Sequence, residues 1–168
     1  IYPAAEYEYK NHAVIIQALS MLGNEYLKEN NVSVLFTIPA NSYLDKKTKT
    51  MDIYKHVRFI GSVNQEELNR LYSTSFCLLF PSKIESFGLP LIEGACKGVK
   101  IITADLPYAR EALQDYASTH FVDPDDASKW AYKLKSLIEK DDNKTETFEY
   151  KDDWAKFNKI IDDVFFSN

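Results

Sequence analysis

Apolar residues along this chain occur in two alternating kinds of segment. Short continuous runs, such as FCLLF at 76–80, have the length and composition of strands that are buried on both faces. Longer segments, such as 11–22 and 126–140, repeat apolar residues at helical spacing. The pattern predicts helices at 11–22, 64–73, 89–98 and 126–140, a helical stretch after Pro107, and strands at 32–38, 56–63, 76–80, 99–104 and 119–124.

This alternation predicts an α/β fold with a doubly wound, mostly parallel sheet of the Rossmann-like kind. Residues 1–140 are expected to form that domain, the polar segment 141–151 a linker, and 152–168 a C-terminal helix whose aromatic residues need a partner surface. Ligands of such sheets bind beyond the carboxyl ends of the strands. The loops expected to converge on one crevice are 3–11, 61–66 and 81–90.

Composition narrows the class of protein only slightly. A net charge of −5 argues against a nucleic-acid-binding protein, which usually carries a basic footprint. The two cysteines lie in apolar surroundings, and we find neither a signal peptide nor an apolar run near 18 residues, so a reducing cytoplasm is expected. The three histidines show no metal-ligand spacing, and the Asp-x-Asp within DPDD (123–126) is interpreted as a helix cap, so no metal site is predicted.

The loop and helix start at 81–93 carry the most informative chemistry. Glu85 and Glu93 flank a Gly-Leu-Pro at the predicted start of a helix, where free backbone N–H groups and the helix dipole favour an anion. Carboxylates on either side of a bound phosphate would accept hydroxyls of sugars, so the pattern fits a nucleotide sugar. The spacing of the two glutamates by itself favours a plainer explanation, in which Glu85 caps the helix and Glu93 faces water.

The whole string PSKIESFGLPLIEGACKGVKIITADLPYAREAL (81–113) resembles the donor-sugar site of the group 1, retaining glycosyltransferases of the GT-B fold, of the family 4 type. The signature of that family is Glu-x7-Glu around Phe-Gly-Leu-Pro. VRFIGSVNQEELNRLYS (57–73) is similar to a second family pattern, and the resemblance extends over about residues 2–138. It implies the C-terminal, donor-binding half of a GT-B enzyme, with 152–168 as the helix that crosses back to the other domain.

The resemblance also assigns roles by position. Glu85 would contact hydroxyls of the transferred sugar and Lys10 would neutralise the diphosphate, which makes these two the predicted catalytic residues. Glu93 would bind the ribose diol. The remaining predicted donor-binding residues lie in the loops around them: Phe87, Gly88, Leu89 and Pro90 at the helix start, Ser82 in the same loop, and Gly61, Ser62 and Val63 beside the base. Many family members carry an Arg six residues before the Lys, near Ala4 here, and this loop contains none.

The function implied is transfer of a hexose-type sugar, or an N-acetylhexosamine, with retention, from a nucleoside diphosphate to a glycan or lipid-linked acceptor in bacterial surface-polysaccharide synthesis (lipopolysaccharide O-antigen or capsule). No cofactor is expected, and UDP is the expected nucleotide of the donor because it is common in the family. The full enzyme would be cytoplasmic, with peripheral association to the inner face of the membrane. This chain is expected to lack the acceptor domain, so it would bind donor weakly and not turn over. The alternatives are a sugar-nucleotide epimerase and a non-catalytic α/β interaction module.

Overall fold

The computed structural model describes residues 1–140 and 148–150. Two short 3-10 helices, Glu8–Lys10 and Tyr54–His56, join the regular elements. The strands are β1 Val34–Phe36, β2 Val57–Phe59, β3 Cys77–Phe80, β4 Lys100–Ala104 and β5 Thr119–Val122. The helices are α1 His12–Leu22, α2 Asn24–Glu29, α3 Tyr43–Thr50, α4 Gln65–Thr74, α5 Leu89–Cys96, α6 Pro107–Leu113 and α7 Ala127–Lys140.

All the strand pairs of the described sheet are parallel. β1 pairs with β2, and β3, β4 and β5 pair in that order. Residues 1–2 join the two groups: Tyr2 N–H donates to Leu35 O at 2.9 Å, Ile1 N donates to Cys77 O at 2.8 Å, and Leu79 N–H donates to Ile1 O at 2.9 Å. With residues 1–2 counted as the first strand, the spatial order is 3-2-1-4-5-6, which is a doubly wound sheet.

Helices cover both faces of this sheet, and the apolar runs form the core between the layers. α1 packs against α7 on one face, while α5 packs against α4 and α6 on the other. β3 is buried along its whole length, as its continuous apolar sequence predicts. α5 comes especially close, because a Cβ on Gly94 would lie 2.8 Å from Leu78 Cδ2. The predicted α/β fold is confirmed.

The predicted elements differ from the observed ones mainly at their ends. The strands predicted at 32–38 and 56–63 are too long, because β1 and β2 pair over only three residues each before the chain turns into loops. α2 and α3 were not predicted. α3 is largely polar and buries only Leu44 and Thr48, so its helical form depends on the Ser42 cap, whose side chain accepts from Asp45 N–H, more than on an apolar stripe.

The C-terminal segment is described only in part. The predicted helix at 152–168 and most of the predicted linker at 141–151 lie outside the described residues. Of the linker, residues 148–150 pack on the domain: the Phe148 ring lies 5.2 Å from that of Tyr116, and the Tyr150 ring 5.8 Å from that of Phe87. Among the described residues, no helix combines the length and apolar character needed to cross a bilayer.

Candidate functional site

The strand order places a topological switch point between residues 1–2 and β3. The chain leaves these two neighbouring strands in opposite directions along the sheet, so a crevice opens beyond their carboxyl ends. The loops that border it are 3–11 and 81–88. These are two of the three loops that the sequence predicted to converge.

Lys10 and Glu85 meet across this crevice. Lys10 Nζ donates to Glu85 Oε1 at 2.6 Å, and the two side chains are only 18% and 13% exposed. The buried Tyr2 hydroxyl donates to Lys10 O at 2.6 Å, which fixes the backbone from which the lysine extends. An ammonium has three donors and the ion pair uses one of them, so Lys10 retains donors for a second anion.

Asn11, directly after Lys10, ties three loops together. Its backbone is left-handed, with φ of 56°. Its side-chain Nδ2 donates to Pro81 O at 3.3 Å and to Pro124 O at 2.8 Å. The loops after the first strand, β3 and β5 therefore share one amide, which holds the position of Lys10 relative to the 81–88 loop.

The start of α5 supplies an anion-binding element beside this pair. Gly88 is the N-cap residue in a left-handed conformation, with φ of 74°, and a Cβ there would lie 3.2 Å from the Tyr108 ring and 3.3 Å from Leu91 Cδ1. Pro90 occupies the first turn, where its missing N–H costs nothing. Phe87 and Leu89 are exposed, whereas Gly88 between them is buried.

Glu93 lies one turn inside α5 and contacts α4 through both carboxylate oxygens. Tyr72 Oη donates to Glu93 Oε2 at 3.1 Å, and Gln65 Nε2 donates to Glu93 Oε1 at 3.4 Å. Tyr72 is completely buried, and its burial together with the Glu93 charge raises the pKa of its hydroxyl well above the ordinary value. The tyrosine therefore stays protonated as a neutral donor to the carboxylate.

The loop after β2 leads directly into α4. Gly61 has φ of 75°, its N–H donates to Ile38 O at 3.0 Å, and no atom lies within 4 Å of the position a Cβ would take. Ser62 is exposed and Val63 is half-buried. Asn64 then starts α4 with the predicted capping box to Glu67. The open face at Gly61 leaves room for a flat ligand group.

Ser82 has a different setting from the other predicted donor-binding residues. Its buried hydroxyl oxygen lies 3.2 Å from Ile84 O and 3.4 Å from Tyr9 O, which share its one hydrogen as acceptors, while Tyr108 Oη donates to Ser82 O at 2.6 Å. In this structure Ser82 shapes the loop, and its contact with a donor stays a prediction.

The structure also shows the surroundings of two groups that were not assigned to the site from the sequence, the DPDD segment and His12. Asp126 caps α7, with Oδ1 accepting the N–H groups of Ser128 and Lys129 at 3.1 Å, and the hydrogen bond from the Ser128 hydroxyl, followed by that from Lys129 N–H, lowers its pKa to about 2. The cap is thus the last Asp of DPDD, while within the Asp-x-Asp itself Asp123 Oδ1 accepts from Asp125 N–H and Asp125 pairs with Lys83. His12 is buried against the Tyr2 ring, and this burial lowers its pKa to about 4. Among the described residues, no three His, Cys, Asp or Glu side chains are grouped closely enough to hold a metal ion.

Sequence reasoning missed four residues that shape the site: Asn11, Gln65, Tyr72 and Tyr108. A weak signal existed for two of them, because Gln65 and Tyr72 are seven residues apart and so lie on one helix face. Asn11 and Tyr108 act through long-range bonds to backbone carbonyls, which leave no local pattern.

Comparison with known proteins defines the class. The family model described as Glycosyl transferases group 1 matches residues 1–157, so the chain belongs to the group 1 glycosyltransferases. Structural neighbours are GT-B enzymes. The catalytic domain of cholesterol-alpha-glucosyltransferase from Helicobacter pylori superposes with a TM-score of 0.65 at 18% identity, over 82% of this chain and 85% of that one. Anabaena Alr3699/HepE in complex with UDP and glucose gives a TM-score of 0.68 at 17% identity, over 86% and 39%.

Two curated relatives are more similar in sequence. The O-antigen chain mannosyltransferase RfbU of Salmonella typhimurium is 27% identical over 121 residues, which are 70% of this chain and 34% of the relative. The serotype-specific mannosyltransferase WbdA of Escherichia coli is 33% identical over 110 residues, which are 64% and 13%. The chain thus spans about a third or less of the length of these relatives.

Proposed function

We propose that this chain is the donor-binding domain of a retaining glycosyltransferase that transfers a hexose from a nucleoside diphosphate to a glycan or lipid-linked acceptor of a bacterial surface polysaccharide. The observation that carries the proposal is the Lys10–Glu85 pair at the switch point, next to the start of α5. The two mannosyltransferase relatives, one of them for O-antigen chains, support a hexose and a polysaccharide product.

The geometry suits departure of a diphosphate. When the bond between the sugar and the leaving oxygen breaks, negative charge grows on the diphosphate. Lys10 has donors left over from its ion pair, and α5, whose positive dipole end favours negative charge, starts directly after the 81–88 loop that holds Glu85. Groups fixed in advance around the developing charge stabilise the transition state, and each typically contributes about 3 kcal/mol. Lys10 and the helix start would do this without an Arg in the 3–11 loop.

The two carboxylates are assigned to the two sugars of the donor. Glu85, next to Lys10, would accept hydroxyls of the transferred hexose, and Glu93, on the α4 side, would accept the ribose diol. The open face at Gly61, together with Ser62 and Val63, would flank the base. UDP is the nucleotide that we favour for the donor, a choice supported by the HepE complex with UDP and glucose.

The acceptor, its linkage and the activity belong to the whole enzyme, which we place in the cytoplasm. Association with the inner face of the membrane follows if the acceptor is lipid-linked. This chain is expected to bind the donor weakly and not to transfer it.

The test is a calorimetric titration of this chain with UDP, GDP, UDP-glucose and GDP-mannose, repeated on Glu93→Gln. We expect one nucleotide to bind selectively and Glu93→Gln to weaken it roughly tenfold, as loss of hydrogen bonds to a charged group does. Glu66→Gln, an exposed glutamate on α4, is the matched control and should bind as the wild type does. Absence of binding to all four ligands would contradict a donor site and favour an interaction module that keeps only the fold.

A further inference from the structure

We infer that Tyr72, aided by Gln65, is the positioning residue that orients Glu93 and thereby makes the site select ribonucleoside diphosphates over their deoxy analogues. The inference rests on the proposed function, since it takes Glu93 as the group that meets the ribose. It adds the reason why that carboxylate would discriminate between sugars that differ only in hydroxyl groups.

The first argument is the geometry of the carboxylate. Its two oxygens are held by different donors, Tyr72 Oη at 3.1 Å on Oε2 and Gln65 Nε2 at 3.4 Å on Oε1. A glutamate without such partners rotates broadly about its terminal torsion. Two donors on opposite oxygens hold one orientation, and each oxygen keeps a further lone pair for an incoming hydroxyl. A pair of adjacent hydroxyls is the ligand that fits two fixed acceptors.

The second argument is the burial of Tyr72. Its side chain is completely buried, so its hydroxyl has no access to bulk water if Glu93 turns away. Leaving a buried donor without a partner is costly, and that cost keeps Glu93 in place. Gln65 is exposed and its bond is longer, so it contributes less. Tyr72 is therefore the dominant partner.

The third argument is the place of α4 in the chain. The helix begins at the Asn64 capping box, immediately after the loop that contains Gly61. The loop predicted to lie beside the base thus leads directly into α4, the helix that positions Glu93. A change in Tyr72 should therefore affect the nucleoside part of the ligand and leave the diphosphate part unaffected.

The experiment compares the wild-type chain with Tyr72→Phe, which removes one oxygen and keeps the buried ring. Tyr116→Phe is the matched control, because it also removes a buried tyrosine hydroxyl, one that donates to Val99 O at 3.0 Å. The ligands are UDP, 2′,3′-dideoxy-UDP and inorganic pyrophosphate, or the guanosine pair if GDP is the nucleotide that binds. Affinities are measured by titration, and folding is checked by circular dichroism.

We expect the wild type and Tyr116→Phe to prefer UDP over the dideoxy analogue roughly tenfold, and Tyr72→Phe to lower that preference at least threefold, with pyrophosphate affinity unchanged. If Tyr72→Phe does not fold, Gln65→Leu replaces it, with about a twofold loss of preference expected.

If folded Tyr72→Phe keeps the full preference for UDP over the dideoxy analogue while Glu93→Gln loses it, the role of Tyr72 is overturned and the proposed function stands. A wild-type chain that binds no nucleotide, or that binds UDP no better than pyrophosphate, would overturn both.

Discussion

The crevice has two sides that hold a glutamate by different means. On one side Glu85 is paired with a cation, Lys10, which comes from a loop 75 residues away in sequence. On the other side Glu93 is held by two neutral donors, Tyr72 and Gln65, from the preceding helix. We refer to these as the charged side and the neutral side.

The difference teaches how one short motif serves two tasks. A cation with spare donors suits a group that gains negative charge during a reaction. Neutral donors hold a carboxylate without cancelling its charge, so it remains a strong acceptor for hydroxyls. The two glutamates are equivalent as residues, and their partners distinguish them.

The largest expected effect concerns His12, which is buried in the core two residues after Lys10. His12 has its pKa lowered to about 4 by burial, so the unfolded chain binds a proton to this residue at higher pH than the folded one does. The stability that neutral His12 contributes is present above pH 6.5 and is lost as the pH falls towards 4, by about 3 kcal/mol. Urea denaturation at pH 7, 5.5 and 4.5 should show this slope in the wild type.

His12→Phe, which keeps a ring beside Tyr2 and Phe36, should show a shallower slope over the same range. An unchanged slope would mean that the acid sensitivity arises elsewhere in the domain and not beneath Lys10.

The second effect separates the two sides by ligand. Lys10→Met should weaken UDP and pyrophosphate alike, by roughly thirtyfold, since charge-assisted bonds contribute about 2 kcal/mol. Uridine, which lacks phosphates, should bind as it does to the wild type. Lys83→Met is the matched control: Lys83 lies in the 81–88 loop but pairs with the exposed Asp125. Equal losses in both lysine variants would show that general charge, and not Lys10, governs binding.

The third effect concerns Asn11, which holds the 3–11 loop of the charged side in position. Asn11→Ala should cost about 2 kcal/mol of unfolding free energy, because it loses both carbonyl contacts and places a Cβ in left-handed backbone. Asn11→Gly loses the same contacts without the backbone strain, so it should cost about 1 kcal/mol less. Thermal or urea unfolding measures both. If the two variants are equal, the strain argument is wrong, and if both match the wild type, the side-chain bonds contribute nothing.

Much of the fold could be predicted because its signals are local. The strand 76–80, the helix capped by Asn64, and the glycine–proline start of α5 are all determined by neighbouring residues. α3 was not predicted because its local signal is weak: its sequence YLDKKTKT has too few apolar residues to mark a buried face.

The sequence by itself determined the alternation of strands and helices, the Glu85–Glu93 spacing, and the helix start between them, since each depends on residues close together in the chain. Only the tertiary structure decided that residues 1–2 lie between β1 and β3, that Lys10 pairs with Glu85, and that Tyr72 holds Glu93. These contacts join segments 21 to 76 residues apart, and strand order, which no local pattern encodes, brings them together.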